Sequence, residues 1–265
     1  MTYEVAAGRS ASDLTGGMRA ILASGEPSYG GWCMIPSAFC AEIVSASGCG
    51  WMVIDQQHGL IGDEDMRLMV QAAAIRRTPV LVRVAWNEPA AIMRALDAGA
   101  DGVVVPMVND VAEAERAARA SHYPPIGYRS WGPLRSLMAL PSFGPRVGNE
   151  QAVCFVMIET VEGFDNLDAI LDVPGVDGAL VGPNDLRISH TGDNAGAASA
   201  AEDVAMIERI GAACRERGLA AAMSGVDLGE AKRWVQAGFN LISVPSDAAL
   251  VGEGMARALR LAAGD

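Results

Sequence analysis

Short apolar segments alternate with longer amphipathic segments along this chain. The apolar segments are rich in Val, Ile and Leu, which is typical of strands buried on both faces of a parallel sheet. Eight such strands are predicted, beginning near Gly31, Trp51, Pro79, Gly102, Val153, Gly178, Leu219 and Leu241. Eight strand-and-helix units favour a closed (β/α)₈ TIM barrel, with an open doubly wound sheet as the minority interpretation.

The segments between the strands have helical periodicity, and several begin with an acidic residue and end before a glycine. The predicted helices are Asp63 to Arg76, Glu88 to Ala98, Asp110 to Ser121, Glu202 to Arg217 and Leu228 to Ala237. Four glycines are interpreted as helix C-caps, because glycine adopts the left-handed conformation without a steric penalty. They are Gly48, Gly99, Gly218 and Gly238.

Three segments do not fit the repeating unit. Residues 1–29 are predicted to be an N-terminal extension with a helix from Leu14 to Ser24. Residues 123–150, rich in Pro, Gly and Arg, and residues 189–201, rich in Gly, Ala and Ser, are predicted to be long loops that overhang the active end of the barrel. Because the 265 residues show no break in composition, we expect one domain, 1–265.

Composition and charge exclude several classes of partner. A net charge of −12 opposes binding to nucleic acid or to an anionic membrane surface. The chain has no recognisable export signal and no apolar segment near the roughly 18 residues needed to span a bilayer. Its five scattered cysteines lack a CxxC pair, which favours neither a disulfide framework nor a zinc site. We therefore expect a cytoplasmic protein that acts on a small molecule.

Two acidic residues follow neighbouring predicted strands, at the end of the barrel where such folds carry their catalytic groups. Glu159 follows the fifth strand and Asp185 follows the sixth, so their side chains are expected to lie next to each other. Two carboxylates, completed by water and substrate oxygens, are typical of an open site for Mg²⁺ or Mn²⁺. The alternative is a pair of exposed loop carboxylates or an ion pair.

A histidine and an arginine complete the candidate chemistry. His58 follows the second strand, and Asp55, three residues earlier, is expected to orient its ring and raise its basicity, so that His58 acts as a base. Arg83 interrupts an apolar strand, where it is expected either to stabilise negative charge on the substrate or to form a structural ion pair, for example with Asp55. His122 and His190 lack such neighbours and are interpreted as surface or loop residues.

The segment after the sixth strand is a candidate for binding a substrate carboxylate. It reads Gly182-Pro183-Asn184-Asp185-Leu186 and could open a short helix with backbone N–H groups available to an anion. The expected substrate contacts are Gly182, Pro183 and Asn184. Trp32, in the first predicted strand, is a further expected contact.

Several motifs, in the same order, resemble the HpcH/HpaI aldolase family over roughly residues 14–262. They are Ile35-Pro36-Ser37, Ile54-Asp55-Gln56-Gln57-His58-Gly59, Val82-Arg83-Val84-Ala85-Trp86-Asn87, Val105-Pro106-Met107-Val108, Tyr123-Pro124-Pro125, Ile158-Glu159-Thr160 and Gly182-Pro183-Asn184-Asp185-Leu186. The resemblance implies a class II, metal-dependent pyruvate aldolase on a barrel of the phosphoenolpyruvate/pyruvate-binding type. It also implies that the subunits exchange their last helix and assemble as a trimer or hexamer.

The resemblance assigns roles to individual residues. Glu159 and Asp185 would bind Mg²⁺, Mn²⁺ or Co²⁺, His58 would be the base, Arg83 would stabilise the transition state, and the Asn184 backbone would contact the substrate carboxylate. It adds Asp97, which would raise the basicity of the catalytic histidine from the same or a neighbouring subunit. The implied reaction is reversible cleavage of a 4-hydroxy-2-oxo acid to pyruvate, or a pyruvate analogue, and an aldehyde.

The chain departs from the family pattern at two positions near the site. Gln57 stands where the family usually has Glu, which removes a charge beside the base, and Met157 stands where Gln is common. The basic loop Gly127 to Arg135 also differs, and Arg129 and Arg135 could favour an acidic aldehyde. Three alternatives stay open: a 2-oxo-acid decarboxylase, an acyl-CoA ester lyase, and a non-catalytic barrel that binds a keto acid.

Overall fold

A computed structural model describes residues 17–139, 143–225 and 229–264. Within them, eight parallel strands pair in chain order and the first strand closes on the last, so the sheet is a closed barrel. The strands are β1 Ser28–Cys33, β2 Trp51–Asp55, β3 Val80–Arg83, β4 Gly102–Val105, β5 Val153–Ile158, β6 Gly178–Val181, β7 Ala220–Met223 and β8 Leu241–Ser243. The predicted barrel is confirmed, and the predicted strand starts lie close to those observed.

Helices occupy the connections between the strands. In the described residues they are α1 Gly17–Ser24, α2 Ala38–Ala46, α3 Asp63–Ile75, α4 Pro89–Asp97, α5 Val111–Ser121, α6 Leu134–Ala139, α7 Pro145–Gln151, α8 Val161–Asp165, α9 Leu167–Leu171, α10 Pro183–Thr191, α11 Ala201–Glu216, α12 Ala231–Gln236 and α13 Asp247–Ala263. The five predicted helices correspond to α3, α4, α5, α11 and α12. The parts of the predicted helices at residues 14–16 and at Leu228 lie outside the described residues.

Alternation of side chains along each strand divides the core into two layers. Val53 and Leu81 belong to the cluster inside the barrel, whereas Ile54 and Val82 belong to the cluster between the strands and the helices. All residues of β2 to β8 are buried, which explains why these strands are apolar throughout. Polar side chains are therefore concentrated just beyond the strand ends. The four predicted C-cap glycines have φ between +66° and +105°, which confirms that interpretation.

The prediction that residues 123–150 overhang the active end is wrong for the barrel to which they belong. The described parts of this segment, 123–139 and 143–150, lie between α5 and β5 and therefore at the N-terminal end of the strands, opposite the catalytic end of a TIM barrel. It is also not a plain loop, because it contains α6 and α7. Arg129 in this segment is buried and donates to Asp97 at the end of α4, at 2.7 Å. Arg129 is therefore engaged away from the active end of its own chain.

The last helix, α13, is almost entirely exposed. Asp247 is its one buried residue, while Leu250, Val251, Met255, Leu259 and Leu261 are 46 to 65% exposed. The described residues thus leave a long apolar helix surface without a partner. None of the helices in the described part of the chain is long and apolar enough to cross a membrane. The cytoplasmic location stays a prediction.

Candidate active site

Asp55 and Arg83 form a buried ion pair at the ends of β2 and β3. The strand register places the two residues opposite each other. Arg83 donates from Nε to Asp55 Oδ1 at 2.8 Å and from Nη2 to the other carboxylate oxygen, Oδ2. Burial would raise the pKa of Asp55, but the hydrogen bonds and charge of Arg83 lower it below its ordinary value. The structural ion pair, one of the two alternatives considered for Arg83, is therefore present.

The remaining donors around Asp55 hold the loop that carries His58. The indole of Trp32 donates to Asp55 at 3.2 Å, and the guanidinium of Arg83 lies 5.0 Å from the centre of the Trp32 ring. The backbone N–H groups of Gln57 and His58 donate to Asp55 at 3.0 and 3.2 Å. The expectation that Asp55 orients the imidazole ring of His58 is thus corrected: the carboxylate contacts the His58 backbone, because Arg83 and Trp32 occupy its other positions.

His58 itself is exposed on the loop after β2. Its neighbour Gln57 is partly buried, and Gln57 Oε1 has no hydrogen-bond partner. Asp55 fixes the backbone of this loop through two hydrogen bonds. The side chain of His58 therefore extends from a fixed backbone, and its ring remains accessible to a substrate.

Glu159 is a buried acid with one unpaired carboxylate oxygen. It follows β5 and is only 1% exposed. Its Oε1 accepts a 2.8 Å hydrogen bond from the backbone N–H of Met107, but its Oε2 is buried without a partner. Burial raises the pKa of Glu159 to about 7, and the charge of Asp185 also raises it. A buried carboxylate oxygen without a donor is a candidate ligand for a cation.

Asp185 and the substrate-binding candidates lie at the start of α10, immediately after β6. Gly182 is the N-cap and Pro183 occupies the first turn, where its missing N–H costs nothing. Asn184 is exposed and Asp185 is partly buried in the same turn. A Cβ atom on Gly182 would lie 2.4 Å from Glu159 Oε2, so only glycine leaves room for the Glu159 carboxylate there. The predicted short helix is confirmed.

The structure therefore brings most of the predicted residues to one end of the barrel. Asp55, Arg83, Glu159 and the start of α10 all lie at the C-terminal ends of strands, namely β2, β3, β5 and β6. Within the described ranges, no group of three or more His, Cys, Asp or Glu could hold a metal, so a bound cation would depend on two carboxylates together with water or substrate.

Asp97 is the predicted residue that does not join this group within one chain. It ends α4, which runs back toward the N-terminal end of the strands, and its carboxylate binds Arg129. Of the interpretation of His122 as a surface or loop residue, the loop half is confirmed, because His122 follows the last residue of α5, and the surface half is wrong. His122 is 3% exposed, and its Nδ1 lies 2.7 Å from the carbonyl oxygen of Ala118. His190 is exposed and lies 3.6 Å from Asp203.

Sequence reasoning missed the role of Met107. This residue follows β4 with φ of +54°, a conformation that is unfavourable for a residue with a side chain. Its N–H is the group that holds Glu159. The motif Val105-Pro106-Met107-Val108 was available in the sequence, but nothing in its composition indicates a left-handed backbone.

Comparison with known proteins gives a consistent result. The family model described as HpcH/HpaI aldolase/citrate lyase matches residues 29–253. A 4-hydroxy-2-oxo-heptane-1,7-dioate aldolase of Escherichia coli is 35% identical over 239 residues, which cover 88% of this chain and 89% of the relative. A hydroxypyruvate/pyruvate aldolase of Rhizorhabdus wittichii is 40% identical over 164 residues, 62% of this chain and 65% of the relative.

A solved structure shows the same fold over nearly its whole length. It is an HpcH/HpaI aldolase/citrate lyase family protein from Burkholderia cenocepacia, with a TM-score of 0.85 and 28% sequence identity. The alignment covers 92% of this chain and 97% of that protein.

Proposed function

Because this chain belongs to the HpcH/HpaI aldolase/citrate lyase family and is a carbon–carbon lyase, we propose that it reversibly cleaves a 4-hydroxy-2-oxo acid to pyruvate, or a pyruvate analogue, and an aldehyde. The two aldolase relatives support this reaction. The observation that carries the proposal is the buried Oε2 of Glu159, which has no partner and lies beside Gly182 at the catalytic end of the barrel.

Divalent-metal dependence is general among aldolases of this family. The residues of this chain fit such an ion, because Glu159 Oε2 is unpaired and Asp185 acts electrostatically on the same carboxylate. Glu159 and Asp185 would hold Mg²⁺, Mn²⁺ or Co²⁺, and two carboxylates leave positions open for substrate oxygens. When bound, the metal would supply positive charge next to the 2-oxo group, where negative charge develops during cleavage.

The protein groups around this position divide the remaining work. Arg83 is held by Asp55 and stacked against Trp32, so it presents a fixed positive charge whose field also reaches Glu159. This charge would stabilise the developing anion without rearrangement. His58, on its braced loop, would move the proton of the 4-hydroxyl group. The start of α10, at Gly182, Pro183 and Asn184, would bind the substrate carboxylate.

The exposed apolar side chains of α13 support an oligomer. The proposal is that α13 packs on a neighbouring subunit in a trimer or hexamer, and that residues 1–265 form one domain in each subunit. Asp97 lies at the far end of its own barrel, so any contribution to a His58 site would come from a neighbouring subunit. The charge substitution Met255→Glu tests this arrangement, because it is expected to lower the molar mass measured by light scattering, and an unchanged mass would contradict it.

The reaction is tested by pyruvate release from a panel of 4-hydroxy-2-oxo acids, coupled to lactate dehydrogenase. The enzyme is assayed after EDTA treatment and again after addition of Mg²⁺, Mn²⁺ or Co²⁺. Metal-restored release supports the proposal and ranks the aldehydes. No release with any metal, together with carbon dioxide formation or acyl-CoA cleavage, would replace the aldolase by one of the alternative lyase reactions.

A further inference from the structure

We propose that Asn109 is a positioning residue that fixes the left-handed backbone of Met107 and thereby aims Glu159 at the bound metal. The inference rests on the proposed function, in which Glu159 is a metal ligand. It assigns a role to a residue that neither the sequence motifs nor the comparisons single out. Neither Asn109 nor Met107 needs to touch the metal or the substrate.

The backbone of Met107 has a left-handed conformation. Met107 has a φ of +54°, and its N–H donates to Glu159 Oε1 at 2.8 Å. This region is unfavourable for a residue with a side chain, so the conformation persists only where the surroundings enforce it. If the peptide between Pro106 and Met107 rotated so that Met107 took a negative φ, the Met107 N–H would turn away and both oxygens of Glu159 would lack a donor.

The side-chain amide of Asn109 makes two hydrogen bonds, one to each of two neighbouring loops. Its Nδ2 donates to the carbonyl oxygen of Met107 at 3.1 Å, which closes a short ring around the left-handed residue. Its Oδ1 accepts from the hydroxyl of Thr160, the residue that directly follows Glu159. One side chain thus connects the loop after β4, which supplies the donor, to the loop after β5, which supplies the ligand.

The backbone of Asn109 is itself held by hydrogen bonds to two side chains. Its backbone N–H donates to Glu113 at 2.8 Å, and its carbonyl accepts from the side chain of Asn166 at 2.8 Å. Gly163 allows the close approach of the two loops, because a Cβ there would lie 2.8 Å from the carbonyl oxygen of Val108. Asn109 is therefore anchored to α5 and to the turn after α8, and it transmits that rigidity to Met107.

The consequence is that Glu159 has one fixed oxygen and one free oxygen. Oε1 is held by Met107, and Oε2 is buried without a partner. A preset carboxylate binds a cation without first losing rotamer freedom. Loss of the Asn109 brace is expected to weaken metal binding while leaving both carboxylates in the protein.

The test measures the Kd for Mn²⁺ by electron paramagnetic resonance of the free ion, without substrate, on the full chain. Asn109→Ala is expected to raise the Kd roughly 10- to 100-fold, as is usual when a residue that supports a metal ligand is lost. Asn109→Asp is expected to act similarly, because it keeps the acceptor for Thr160 but loses the donor to Met107. Met107→Gly keeps the N–H and removes the backbone strain, so its Kd should stay near the wild-type value.

Two further variants separate positioning from general damage. Asn149→Ala is the matched control, because Asn149 braces Tyr123 with two hydrogen bonds at the opposite end of the barrel. It should lower the Tm without changing the Kd for Mn²⁺. The double variant Asn109→Ala/Met107→Gly should recover part of the lost affinity, because glycine reaches the left-handed conformation without a brace.

The outcomes are distinct. Weaker binding in Asn109→Ala with partial recovery in the double variant supports the inference. Wild-type affinity in Asn109→Ala, or an equal loss in Asn149→Ala, or no recovery in the double variant overturns it while leaving Glu159 as a ligand. Wild-type Mn²⁺ affinity in Glu159→Gln would overturn the metal site itself, and the inference with it.

Discussion

Buried carboxylates at the two ends of the barrel differ in whether each of their oxygens has a hydrogen-bond partner. At the N-terminal end of the strands, Asp101 accepts from the backbone of Val80 at 2.8 Å and from Met18 at 3.4 Å, one bond for each oxygen. Asp177 there accepts from Arg19 and from the backbone of Cys154. At the C-terminal end, one oxygen of Glu159 is buried without a donor.

This difference separates stability from function. The acids at the N-terminal end bind the start of β3, the start of α1 and the start of β5 into one unit, and all their bonds are internal to the protein. Glu159 leaves a buried polar atom unsatisfied, which lowers stability but preserves a position for a ligand. Asp55, at the same end, is fully bonded and supports the residues around it. Each of the following predictions strengthens or breaks this contrast.

The largest effect is expected for Glu159→Gln. Loss of a ligand charge should lower kcat/KM by about 10³-fold or more, since a metal supplies several kcal/mol to the transition state. The Tm should be equal or higher, because the variant removes a buried carboxylate with an unpaired oxygen. Aldol cleavage kinetics and thermal unfolding measure both quantities. A clear fall in Tm would show that Glu159 stabilises the fold, which would break the contrast.

The next effect is expected for His58→Ala. Removal of the base should lower kcat by roughly 10²-fold or more, the usual contribution of general acid–base catalysis. The Tm should hardly change, because the side chain is exposed. Steady-state assays and unfolding curves of His58→Ala and wild type test this. His190→Ala, at another exposed histidine, is the matched control and should retain wild-type kcat.

A smaller and opposite effect is expected for Asp101→Ala at the N-terminal end. The variant leaves the N–H groups of Val80 and Met18 without acceptors, so we expect a loss of about 1–3 kcal/mol in the free energy of unfolding. Values of kcat for the folded enzyme should be unchanged. Urea unfolding and activity below the transition measure the two. A loss of kcat at wild-type stability would contradict the assignment of this end to stability.

The smallest effect is expected for Gln57→Glu, which adds a negative charge beside the loop of His58. A nearby negative charge generally favours the protonated form of a base. Since the base must be neutral, the acid limb of the kcat/KM profile should move to higher pH. The profile of Gln57→Glu is compared with that of wild type, and Asp193→Asn provides an exposed-charge control. A shift to lower pH would exclude this electrostatic relation.

Much of the fold could be read from local patterns. Strands buried on both faces require continuous apolar segments, and these segments predicted all eight strands close to their observed starts. Glu159, Asp185 and Arg83 could be selected because each lies at or just beyond a strand end, where a barrel places polar side chains at one end. The position of 123–150 was predicted wrongly although the predicted order of elements implies it, since a segment between a helix and the next strand of a barrel lies at the N-terminal end of the strands.

The partners of the site residues could be predicted only in part, since the ion pair of Arg83 with Asp55 is one of two alternatives that the sequence leaves open. Asp55 was assigned to the ring of His58 by proximity in sequence, but the register of β2 and β3 gives its carboxylate to Arg83. Nothing in the sequence indicates the left-handed backbone of Met107 or the hydrogen bonds of Asn109 that hold it. A left-handed φ in a residue other than glycine depends on contacts from distant segments.

Apolar periodicity and position along single strands were enough to predict the barrel, the end of it that carries chemistry, and the acids and bases gathered there. The folded structure was needed to show which oxygen of Glu159 is held, which one is free, and that the ion pair of Arg83 with Asp55, one of two alternatives, is formed. Those outcomes depend on hydrogen bonds between strands and loops far apart in the chain, whose geometry is set when the barrel closes.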